Sequence, residues 1–116
     1  MGTRYAGVVQ GVFEEQMQLN AAAPGNGTEI VTRGYGTLAM SVTGPFVGTL
    51  TFEARLGAAD WTAVRATDEA TGTPATTTSA AGKFRYECAA INAVRARVSA
   101  YTSGSISVLG QASSRA

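Results

Sequence analysis

The chain has 116 residues, 45% of them hydrophobic and 15% charged, with nine basic residues, eight acidic ones and no histidine. That length fits one domain. A net charge of +1 sets up no field for nucleic acid or an anionic membrane, and the missing histidine removes the commonest general base and metal ligand.

The N-terminal residues carry Arg4, Glu14 and Glu15 and lack an apolar run of the signal-peptide kind. No stretch approaches the roughly 20 apolar residues of a membrane span. Synthesis and assembly are therefore expected in the cytoplasm, and the lone Cys88 fits a reducing compartment. Tyr5, Val8, Val9, Val12, Phe13, Met17 and Leu19 are apolar, and Val9, Phe13 and Met17 fit a short helix over 11–20. Residues 21–27, Ala-Ala-Ala-Pro-Gly-Asn-Gly, break any regular element. An apolar segment ahead of a breaker is either a first element of the same domain or an arm that docks on a neighbour. We expect an arm over 1–27 and a domain over 28–116, because the later strands suffice for a sandwich.

From Thr28 onward the period is two. Leu38, Met40 and Val42 share one face of a strand, and Thr37, Ser41 and Thr43 the other. After the Gly44-Pro45 turn, Gly48, Leu50, Phe52 and Ala54 alternate with Thr49, Thr51, Glu53 and Arg55. Residues 57–60 form a short loop, and 61–66 return as the hairpin partner. Residues 68–74 are loop, and the Thr-rich 75–79 reads as an edge strand. Phe84, Tyr86 and Cys88 alternate with Arg85 and Glu87, and Ile91 is tucked inward by a connection. Val94, Ala96, Val98 and Ala100 alternate with Arg95, Arg97 and Ser99. Thr102-Ser103-Gly104 turns the chain, and Ile106 and Val108 face inward after it.

Seven to eight short strands with a turn at each break predict an all-β, antiparallel β-sandwich with an N-terminal arm. The expected core is Leu38, Met40, Val42, Leu50, Phe52, Trp61, Val64, Phe84, Tyr86, Val94, Val98, Ile106 and Val108. The outward faces are mostly Thr, Ser, Ala and Gly. So few charges protect poorly against association, which suggests a face meant to be covered.

Four segments carry a resemblance: Val42 to Glu53, Trp61 to Val64, Gly82 to Tyr86, and Ala93 to Val108 with its Tyr101-Thr102-Ser103-Gly104-Ser105 turn. Together, over about 36–112, they resemble the small β-sandwich module of tailed-phage and prophage structural proteins. The 57–60 loop is shorter than in that module's common form. The resemblance implies a virion component. A stand-alone module with an apolar arm looks like a capsid decoration, or cement, protein on the outer surface of the head. Its implied partners are the major capsid protein and further copies of itself, as a closed trimer in preference to a dimer, with no nucleic acid, membrane or cofactor. The alternative is a tail or adsorption module that binds a host-surface glycan.

Partner binding is expected at Tyr5, Val8, Val9, Val12 and Phe13 of the arm, at Arg95 and Arg97, and at Tyr101 beside the last turn. Arg95 and Arg97 share one strand face, with Arg85 expected nearby. They read either as a basic stripe for an acidic partner or as a solvated face paired with Glu53 and Glu87. Trp61 reads as a core residue, or else as a sugar-stacking platform. Asp68 and Glu69 fall short of the six to eight oxygens of a calcium site, and adjacent Glu14 and Glu15 point apart. An enzyme would need an acid pair such as Asp60 with Asp68; no catalytic set is expected.

Overall fold

The computed structural model describes residues 12–57, 60–88 and 91–113. Among the described residues eleven strands run in chain order: β1 (Val12–Ala21), β2 (Ile30–Val31), β3 (Thr37–Thr43), β4 (Phe46–Arg55), β5 (Thr62–Ala63), β6 (Ala66–Asp68), β7 (Pro74–Ala75), β8 (Thr77–Thr78), β9 (Gly82–Glu87), β10 (Ala93–Gly104) and β11 (Ile106–Ser113). They form two antiparallel sheets. One has the order β1-β11-β3-β9-β6-β7, the other β2-β10-β4-β5 with β8 also on β4. The chain is thus an antiparallel β-sandwich. Apart from β1, its long strands are those with apolar alternation, and its extra strands are two- or three-residue pieces at the margins.

The apolar faces of the two sheets meet in one core. Leu38, Leu50, Phe52, Val94, Val98, Ile106 and Val108 are buried, and the Phe52 and Phe84 rings meet across the sheets with centroids 5.2 Å apart. Val64, Tyr86 and Ile91 are half-buried against this cluster. Met17, Ile30, Ala54, Ala66, Ala96 and Ala112 join it. Gly110 is required here, since a Cβ would press on Met17 Sδ and Ile30 Cδ1 at 2.6 and 2.5 Å. Gly104, at φ +88°, turns β10 into β11 where a Cβ would meet the Pro45 carbonyl.

Two expectations change in the N-terminal region. A helix was expected over 11–20, but from residue 12 the segment is a strand: β1 pairs with β11 from Val12↔Ser113 to Ala21↔Ile106. A spacing of four residues fits a strand's period of two as well as a helix turn, so Phe13 and Met17 share a strand face. The sheet also begins before residue 28. Met17 is buried, and the Gln18 amide, itself buried, donates to Ala96 O at 2.8 Å and Gly25 O at 3.2 Å. Thr28 N donates to Met17 O, and Gly25 pairs with Val98 on β10. Residues 12–28 therefore stitch one sheet to the other. Tyr5, Val8 and Val9 lie outside the described residues.

Cys88 is buried, with Sγ 3.6 Å from Tyr35 O. Burial first, then the Glu87 carboxylate, pushes the thiol up against an opposing backbone hydrogen bond. Burial raises Tyr86 as well, with Cys88 adding to it. A group that holds its proton more tightly when folded leaves stability intact below its unfolded pKa and lowers it as pH rises beyond. Urea unfolding should show full stability below about pH 8.5 and a decline above it. Cys88→Ala should flatten that decline. Stability that rises with pH in this range would contradict the assignment.

Candidate functional site

β4 and β10 are the central strands of the second sheet, and their alternation sends Glu53, Arg55, Arg95 and Arg97 to its outer face. The register sets Arg95 opposite Glu53, and Arg97 one step along, opposite Thr51. Glu53 is only 8% exposed although it points outward. Arg95 Nε donates to Glu53 Oε1 at 2.8 Å, and Arg97 Nε donates to Oε2 at 3.1 Å. One carboxylate thus holds two guanidiniums by their inner nitrogens. The Arg95 side chain is 16% exposed and that of Arg97 36%.

Trp61 completes the cluster. It was expected in the core, but it lies on this outer face. The pairing Ala54↔Thr62 places it beside Arg55, whose side chain points outward. The guanidinium carbon of Arg95 sits 4.2 Å from the ring centroid and that of Arg55 4.9 Å, both within cation–π range. Arg55 also reaches Glu29 at 3.3 Å. Beyond Arg97 the face turns neutral: the Thr51 hydroxyl donates to Ser99 Oγ at 2.8 Å, and Ser99 donates to Thr49 O at 3.2 Å.

The other expected site residues are scattered. Arg85 is not part of the stripe; it lies on β9 of the opposite sheet and pairs with Glu69 at 2.9 Å, not with Glu87. Tyr101 stands at the far end of β10, where its hydroxyl donates to Gly104 O at 2.8 Å and its ring packs against the core. Phe13 lies on β1 against Tyr35, centroids 6.4 Å apart. Val12 pairs through its backbone with Ser113. Glu53 pairs with Arg95 and Arg97 as the solvated-face reading had it, but Arg55 and Trp61 were not expected to join them. Arg55 falls on the same alternation as Glu53, but the Trp61 position needed the hairpin register.

Each guanidinium retains its outer N–H groups once Nε is engaged. Two rigid forks beside an indole can bind a carboxylate or another planar anion. Glu53 is enclosed, with both carboxylate oxygens engaged by arginine Nε groups. Among the described residues no three His, Cys, Asp or Glu side chains cluster closely enough to hold a metal ion.

Fold and site together define an antiparallel β-sandwich with a preorganised cationic outer face. Two solved structures share the fold. The SPBc2 prophage-derived protein YomS matches with TM-score 0.80 and 19% identity over 87% of this chain and 91% of that one. The PBSX exported protein XepA matches with TM-score 0.83 and 19% identity over 87% of this chain, which spans only 37% of that one. No family model and no curated protein matches the sequence.

Proposed function

We propose that the protein is a non-catalytic binding component of a phage or prophage particle, and that it decorates the outer surface of the capsid. The observation that carries this reading is the Glu53-anchored pair of arginines beside Trp61. It is a partly enclosed cationic cluster on the outer face of the sheet, held in place by one carboxylate. Such a surface fits an acidic patch on the major capsid protein, where it adds contacts across a joint between subunits. Support for the phage setting comes from the shared fold with two prophage proteins.

One observation favours a second reading. XepA is an exported protein, which fits a tail or adsorption module that binds a host-surface glycan. Trp61 serves that role poorly, because two guanidiniums already lie over its ring.

The test is cosedimentation with undecorated heads and, separately, with host polysaccharide. Arg97→Glu should leave the fold intact and reduce head binding at least ten-fold, since it sets a carboxylate against an acidic partner. Rising salt should weaken wild-type binding. Binding to heads that ignores both the variant and salt would remove this face from the account. Binding to polysaccharide alone would select the second reading.

A further inference from the structure

The outer face of the six-stranded sheet has a relief that the proposed capsid contact does not use. Two rows of side chains cross it. One runs Glu14, Gln111, Ala39, Arg85, and the next runs Gln16, Leu109, Ser41, Lys83. The small Ala39 and Ser41 make β3 the floor of a hollow of about 410 Å³, walled by Leu109 and Gln111 on one side and by Lys83 and Arg85 on the other. Leu109 is 36% exposed and stands at the edge of this hollow. Glu14 stands on β1, while β9 carries Lys83 and Arg85 together with Glu87, and Glu69 lies against Arg85 at 2.9 Å. Lys83 has no ion pair among the described residues.

We propose that this face is the contact between two copies of the chain, related by a two-fold axis running along the strands between β3 and β11. That axis lays β11 of each copy over β3 of the other. Leu109 then enters the hollow at Ser41 of the second copy, and Gln111 lies over Ala39. The same operation sets β1 over β9, so that Glu14 meets Arg85 twice and Gln16 meets Lys83 twice. The pattern is self-complementary, as an isologous contact requires. The four strands brought into contact, β1, β11, β3 and β9, lie about 4.8 Å apart and are about seven residues long, so they bury about 900 Å² over both copies. That lies just below the roughly 1,000 Å² of a standing specific interface, so the dimer is weak and concentration-dependent. In it the two arginine faces point away from one another. On the reading given under Proposed function, one dimer could then hold two neighbouring partner subunits; the dimer itself does not depend on that reading.

Sedimentation velocity of the full chain at increasing concentration, without capsids, tests this. The expected result is a monomer shifting to a dimer, with Leu109→Lys monomeric at every concentration and native by circular dichroism. Glu14→Arg and Arg85→Glu should each weaken dimerisation at least ten-fold, and the double variant should recover most of the loss. Arg85→Glu also breaks the pair with Glu69, so recovery by Glu14→Arg is the informative readout. A wild-type chain that stays monomeric, a trimer or larger ring, or a folded Leu109→Lys dimer would each overturn the proposal. If Leu109→Lys does not fold, the charge exchange decides, and absence of recovery overturns it.

Discussion

Phe52→Ala is expected to lower the unfolding free energy by about 3–5 kcal/mol. Phe52 has no exposed surface, sits mid-strand in β4 and meets Phe84 of the opposite sheet at 5.2 Å between centroids. It is the largest fully buried side chain, and it joins the two layers. Its neighbours on both sheets are fixed by long ladders, β4 with β10 and β3 with β9, so the site can collapse little around the lost ring. Domains of this size are stable by about 5–15 kcal/mol, so the variant should sit near its unfolding midpoint in little or no denaturant. Urea titration by tryptophan fluorescence measures this. A loss below about 1 kcal/mol would mean that the layers are held together elsewhere.

Glu53→Ala is expected to cost about 2–4 kcal/mol and to abolish partner binding by the arginine face. The carboxylate accepts from both Arg95 and Arg97. Without it, two partly enclosed guanidiniums lie beside each other and near Arg55, with Glu29 as the remaining carboxylate of the cluster. The full cost of breaking a buried pair is reduced here because the Arg97 side chain reaches solvent. Glu53→Gln should fall between, keeping an acceptor but losing the charge. Thermal unfolding in low and high salt separates the terms. The defect of Glu53→Ala should shrink in high salt, where repulsion among the arginines is screened. A variant as stable as wild type would show that the cluster is ordinary surface.

The fold was legible wherever alternation was strict. Leu38-Met40-Val42, Leu50-Phe52-Ala54, Val94-Ala96-Val98 and Ile106-Val108 form the buried faces of β3, β4, β10 and β11. The N-terminal region was harder to read. Bulges between Gln16 and Gln18 and between Gln18 and Ala21 break the period of two, and Gln18 is a buried polar residue whose partners are distant backbone carbonyls. Trp61 was misplaced for another reason. A large aromatic at the start of a short strand suggests core, yet its face is set by the Ala54↔Thr62 register, which local pattern does not reveal. The pairing of Arg95 and Arg97 with Glu53 joins outward positions of β10 and β4, which are neighbours in the sheet though far apart in sequence. Arg85 followed the same parity but belongs to the other sheet, and alternation alone does not assign a strand to a layer.

If this sandwich binds a phage head through its cationic face, as proposed, cryo-electron microscopy of undecorated heads incubated with the protein should reveal it. Added density is expected at symmetry-related positions on the outer surface, with the outer face of β4 and β10 against the capsid subunit, and no such density with Arg97→Glu. Heads that remain bare, or density that contacts the shell through another surface and persists in the variant, would contradict it.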